Sequence, residues 1–167
     1  MELRPATGAD DAALVALDRA TWSPRTTPTP APPEGGTFFS DSRSADEVII
    51  AEQDGRVVGY AIVQRTSPLP SHAHVLLING VAVDPSMQGQ GLGRRLVEAA
   101  QAEAVRRGAR KLSLRVLSDN ANARHLYESC GFVVEGVLRE EFELDGGFAD
   151  DMLMAWFVPT PATKEQR

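Results

Sequence analysis

The chain has 167 residues and a mass of 18.0 kDa, inside the roughly 100–200 residues usual for one domain. With 43% hydrophobic and 24% charged residues, the composition excludes a disordered or fibrous chain. A net charge of -6 and a pI near 5.1 argue against nucleic acid or an anionic membrane as partner, and are compatible with a cationic substrate. The single cysteine, Cys130, allows no internal disulfide and no cysteine-rich zinc site, and no metal is expected. The start, MELRPATGADD, lacks an apolar signal region, and no run approaches the roughly 18 apolar residues of a membrane span. A reducing compartment, most simply the cytoplasm, is the expected location.

Residues 2–5 read as a short strand ended by Pro5. Thr7 and Asp10 are candidate N-caps for a helix to about Ala20, with Leu14, Val15 and Leu17 as its apolar positions. Pro24, Pro28, Pro30, Pro32, Pro33 and Gly35-Gly36 then make 23–36 a long loop, since closely spaced prolines cannot continue a helix. It is either a plain surface insertion or a lid over a substrate. The runs 47–52 and 57–63 flank Asp54-Gly55 and predict a hairpin. His74–Val83 is nearly all apolar, as for a strand buried on both faces. Gly80 within it suggests a bulge or a close approach.

After Asp84-Pro85 comes Gln88-Gly89-Gln90-Gly91-Leu92-Gly93, then a helix to about Arg107 with Gly108 beyond its end. Lys111–Val116 alternates as a strand, and Asn120–Cys130 reads as a second helix closed by Gly131. Phe132–Leu144, a turn at 145–147 and Asp151–Val158 predict a closing hairpin. The expected layout is one domain over 1–158 and a polar tail over 159–167. The order of elements is mixed α/β.

The glycine-rich turn carries the chemistry. It follows a strand and opens a helix, whose first N–H groups have no intrahelical partners and carry partial positive charge. A phosphate or pyrophosphate is the natural ligand. Arg94 and Arg95 in the first turn oppose the helix dipole unless an anion binds there. The P-loop pattern fails for want of its lysine and hydroxyl residue. The dinucleotide pattern fails because Arg94 occupies the sixth position counted from Gly89, and 111–116 holds no ribose-binding acid.

Gln88-x-x-Gly91-x-Gly93 instead resembles the acetyl-CoA-binding motif of the GNAT superfamily of N-acetyltransferases, Q/R-x-x-G-x-G/A. Val81-Ala82-Val83-Asp84-Pro85 is similar to that family's V-x-V-x-P strand end. Asn120 to Phe132 is similar to its N-x-x-A-x-x-L-Y-x-x-x-G-F. Two motifs in order, about 30 residues apart with a strand between them, are far more specific than either one. The resemblance covers roughly 47–157 and is nearest to members acting on amino acids or other small amines. It implies a mixed, mostly antiparallel central sheet, splayed in the middle and flanked by helices. It also implies acetyl-CoA as co-substrate, and a homodimer.

By that resemblance, Val81, Ala82, Val83, Gln88, Gly89, Gln90, Gly91, Leu92, Gly93, Arg94 and Asn120 bind acetyl-CoA. Tyr127 protonates the leaving thiolate as general acid. Spacing alone would make Tyr127 a core aromatic, and Asn120 an N-cap. The attacking amine must lose its proton, and many members keep a glutamate in the fourth strand for this. Here 73–83 contains no acid. His72 and His74, or water relayed through Asn79 or a backbone carbonyl, are the candidates. A small-molecule primary amine is the expected acceptor, with a protein N-terminus or a non-catalytic acyl-CoA-binding module as rival readings.

Overall fold

The computed structural model describes residues 1–24, 27–144 and 147–159. Arg25 and Thr26 of the Pro-rich loop, Asp145 and Gly146 of the closing turn, and the tail from 160 lie outside the described residues. Seven strands and three α-helices follow one another as β1 (Glu2–Pro5), α1 (Asp11–Thr21), β2 (Val48–Gln53), β3 (Arg56–Gln64), β4 (Val75–Val83), α2 (Leu92–Arg106), β5 (Lys111–Leu117), α3 (Ala121–Ser129), β6 (Val133–Leu144) and β7 (Gly147–Phe157). They form one sheet in the order β1-β2-β3-β4-β5-β7-β6. Every neighbouring pair is antiparallel except β4 and β5. The mixed, mostly antiparallel sheet expected from the motifs is therefore what this sequence forms.

Alternation along β3 decides what each face carries. Ala61 and Val63 pack with Leu92, Leu96, Val97, Ala100 and Ala104 of α2 and with Tyr127 of α3. Tyr60 and Ile62 point the other way, into a second core with Leu14 and Leu17 of α1 and with Phe38. Thus α2 and α3 cover one face, while α1 covers β3 and β4 on the other.

Strand β4 pairs with β5 over four residues, from Val75↔Lys111 to Ile78↔Leu114. Beyond Ile78 the two strands part. β4 runs on to Val83 against β3 alone, and β5 runs on to Leu117 against β7 alone. The sheet is splayed at this point.

Three expectations are corrected. β4 is not buried on both faces, because the splay leaves Asn79 exposed. The last strand begins at Gly147 rather than 151, so the closing hairpin is longer than its apolar pattern suggests. Asn120 and Cys130 cap α3 instead of belonging to it. The bulge expected at Gly80 is present: between the pairs Ala61↔Val81 and Val63↔Ile78, one residue of β3, Ile62, lies opposite two of β4, Asn79 and Gly80. Gly80 takes φ +140° there, a conformation that residues with a Cβ rarely adopt.

Candidate active site

The open edge of β4 is the first component. Asp84 N donates to Val58 O at 2.9 Å, which makes Val58–Asp84 a hydrogen-bonded pair. In an antiparallel ladder such pairs alternate, so Tyr60↔Ala82 is bonded while Ala61↔Val81 and Gly59↔Val83 are not. Val81 and Val83 therefore turn their N–H and C=O groups toward the splay. Ala82, named with Val81 and Val83 as a cofactor residue, turns its own toward β3 and offers no free backbone donor at the splay. Val83 O already accepts from Gln88 Nε2 at 3.3 Å, which ties the strand end to the turn that follows.

That turn is the second component. Gly89 and Gly91 have φ +74° and +78°, the left-handed region that favours glycine. Nothing lies within 4 Å of a Cβ built on either, so backbone conformation, not crowding, demands these two glycines. Gly93 differs, since a Cβ there would sit 3.1 Å from Leu126 Cδ2 of α3. The first backbone bond into α2 is Arg95 N to Gly91 O at 3.2 Å. Among the described residues, the N–H groups of Gly89 through Arg94 have no backbone acceptor. This is a cluster of free donors at the positive end of a 15-residue helix, which suits an anion. Arg94 leans across to α3, donating from Nη1 to Ser129 O at 3.1 Å. Arg95 instead reaches the Met1 sulfur.

The third component is α3. Asn120 Oδ1 accepts from Ala123 N at 3.2 Å and caps the helix, while its Nδ2 has no partner among the described residues. The capping and ligand-binding readings thus use different atoms. Tyr127 is 8% exposed and packs against Phe132 with ring centroids 5.9 Å apart. Its phenol oxygen has no hydrogen-bond partner among the described residues. Among the described residues, the unpartnered side-chain atoms closed off from solvent are His72 Nδ1 and Arg124 Nε, so the phenol still meets solvent. Burial pushes its pKa up to about 12, and it stays protonated at neutral pH.

Beside Asn120 opens a cavity of about 550 Å³. It is bounded by Leu117 at the end of β5, Asp119 beyond it, Asn122 of α3, Phe148 of β7, and Pro24 of the Pro-rich loop. Asp119, Asn120 and Asn122 are part of its polar lining, and Phe148 and Leu117 part of its apolar lining.

The free donors, the open strand edge and the phenol all lie on the segments that carry the sequence motifs. A model of the acetyltransferase (GNAT) family matches residues 13–132. The chain belongs to the GNAT family. Among curated relatives of this GNAT-family chain, the [Ribosomal protein bS18]-alanine N-acetyltransferase of Escherichia coli (strain K12) is 38% identical over 103 residues, which cover 62% of this chain and 66% of that protein. The structure of smu.2055 from Streptococcus mutans UA159 superposes with a TM-score of 0.83 at 28% identity, covering 94% of this chain and 99% of that one. The structure of yncA from Salmonella typhimurium, with its cofactor acetyl-CoA, has the same fold. Its TM-score is 0.80 at 24% identity, over 98% of this chain and 96% of that one.

Other sequence candidates separate from this site. His72 and His74 lie at the other end of β4, where it is still paired with β5. His74 O accepts from Arg110 N at 2.8 Å. Asn79 lies five positions beyond His74, about 16 Å at the usual strand rise, so neither histidine is placed at the splay. Sequence reasoning also missed a set of polar partners around β3. Tyr60 donates to Asp18 Oδ1 at 2.6 Å, and Gln64 bonds both Glu47 and Asn79. The one visible signal is Gln64 itself, an amide closing the apolar run VVGYAIVQ in step with Tyr60 and Ile62. No helix among the described residues is long and apolar enough to cross a membrane.

Proposed function

We propose that the protein transfers the acetyl group of acetyl-CoA directly to the primary amine of a small, cationic molecule. The observation that carries this reading is the splay between β4 and β5, which opens the edge of β4 beside the free donors of the glycine turn. The residues fit acetyl-CoA. The N–H groups from Gly89 to Arg94, with Gln88 bracing the turn, would hold its pyrophosphate, and Asn120 Nδ2 and the Val81 and Val83 edge would hold its arm. When bound, it supplies a thioester carbonyl and a thiolate leaving group. The Val83 or Val81 N–H polarises the carbonyl oxygen. As the amine's N–C bond forms and the C–S bond breaks, the amine's proton passes to water and Tyr127 donates to the departing sulfur.

A phenol near pKa 12 is a weaker acid than a thiol, for which about 8.5 is usual. Tyr127 therefore acts first as a hydrogen-bond donor that stabilises the developing thiolate, rather than as an acid that transfers its proton early. The 550 Å³ cavity is within the range of small-molecule sites, about 300–1,000 Å³. The carboxylate of Asp119 in the cavity wall, with Asp150 bonded through its carbonyl to Ser118 beside it, favours a positively charged acceptor.

A second reading, acetylation of a protein N-terminus, is favoured by the 38% identity to the alanine N-acetyltransferase. A thiol-release assay separates the two, with spermidine, free amino acids and a hexapeptide beginning with alanine as acceptors. Turnover with spermidine or an amino acid is expected. Turnover with the hexapeptide alone favours the second reading. Thiol release with no acceptor, despite calorimetric binding of CoA, overturns both.

A further inference from the structure

The mouth of the splay is marked by Asn79, the first residue of β4 beyond its last pair with β5. Its side chain lies on the α1 face, where it meets Gln64. Gly80, next along the bulge, faces the same way: a Cβ there would meet Ile62 Cδ1 at 3.4 Å and Tyr60 Cε2 at 3.7 Å. Tyr127 lies on the opposite face, in the core beneath α2 and α3. An acceptor arriving at the splay from the α1 face would thus meet Asn79, with the thiol donor on the far side.

Hydrogen bonds fix which way Asn79 points. Gln64 Nε2 donates to Ser42 O at 2.9 Å and to Glu47 Oε2 at 3.1 Å. Both of its amide protons are then engaged, which fixes the amide's orientation and leaves its Oε1, an acceptor, turned to Asn79. Asn79 Nδ2 supplies that bond at 2.6 Å. Glu47 is itself pinned, because its Oε2 also accepts from Ser44 N at 3.0 Å. An asparagine amide is ordinarily free to flip. Here a flip would set Asn79 Oδ1 against Gln64 Oε1, two acceptors with no proton between them. The chain from Glu47 through Gln64 therefore leaves Asn79 Oδ1 as an oriented acceptor. It has no partner among the described residues and sits on an exposed side chain.

We propose that Asn79 Oδ1 binds the primary amine or ammonium of the acceptor substrate, and that Gln64 and Glu47 are positioning residues that aim it. This rests on the acetyltransferase reading above and deepens it. An N–H held by Oδ1 leaves the nitrogen lone pair turned elsewhere, and the splay is where the thioester carbonyl would lie. Asparagine is not a base, so the amine's proton goes to water, in keeping with a strand that carries no acid from 73 to 83.

Steady-state kinetics of Asn79→Ala, Gln64→Leu and the double variant test this, with spermidine and the alanine hexapeptide as acceptors and CoA binding followed by calorimetry. Asn79→Ala is expected to raise the acceptor KM by roughly 10- to 100-fold, as for loss of a hydrogen bond to a charged group, with CoA affinity unchanged. Gln64→Leu should move the acceptor KM in the same direction, also without changing CoA affinity. The double variant should match Asn79→Ala alone, because Gln64 acts only through Asn79. An acceptor KM within twofold of wild type for Asn79→Ala overturns the proposal. So does a double variant whose loss is the product of the two single losses. In either case wild-type turnover leaves the acetyltransferase reading standing. Failure of the wild type to turn over any acceptor overturns that reading and this inference together.

Discussion

The phenol of Tyr127 combines burial, a missing partner and contact with solvent, and each has a kinetic consequence. Phe132 packs against its ring, so Tyr127→Phe removes the oxygen and keeps the packing. Its kcat should fall by roughly 100-fold, the size of effect seen when one well-placed donor is lost, while the KM for acetyl-CoA stays near wild type. Because burial raises the phenol pKa to about 12, the protonated donor persists until pH approaches that value. A pH profile from 6 to 10 should therefore show no falling limb from this group, and a limb that Tyr127→Phe abolishes would contradict the assignment. The role proposed for Tyr127 comes from the motif N-x-x-A-x-x-L-Y, which is written in the sequence. That of Gln64 comes from no motif. It meets Asn79 only because the β3–β4 register sets Gln64 opposite Leu77, and a pairing register is not written in either strand alone.

Among the elements, the glycine turn and α2 were read almost to the residue, because cap and turn chemistry are local. The splay was expected from a resemblance. No local pattern encodes it, since it depends on β4 and β5 sharing four pairs and then following different neighbours. The burial of β4 was misread for the same reason: an apolar run cannot show that one of its faces lies open. Gly91→Ala tests the turn. A Cβ there meets nothing within 4 Å, so the cost is confined to the left-handed backbone, about 1 kcal/mol. For a chain of this size that lowers Tm by about 3 °C. The same strain redirects the free N–H groups, so the KM for acetyl-CoA should rise while the acceptor KM does not. Thermal unfolding and initial rates read the two effects separately.

For the whole molecule, stability depends on how the first strand and helix attach to a sheet whose chemistry lies further along. Asp10 joins them. Its carboxylate accepts from Arg4 Nη1 at 2.9 Å and Nη2 at 2.8 Å, and from Thr7 N at 2.8 Å. Arg4 in turn donates to Glu52 of β2 at 2.7 Å. Asp10 is only 8% exposed, so its charge is held chiefly by the guanidinium, which keeps its pKa well below the usual carboxylate range. A depressed carboxylate contributes its full stability above the unfolded-state value, about 4, and loses it as pH falls through the lower folded-state value. Asp10→Asn keeps the shape and removes the charge. It should cost about 2 kcal/mol at pH 7, the scale of charge-assisted hydrogen bonds with one partner half-exposed. Denaturant titrations of both proteins should show that difference intact at pH 6. It should then shrink on acidification below pH 4, as the wild type loses what the variant never had. A gap that stays constant down to pH 2 would mean that Asp10 holds the N-terminal unit by shape alone.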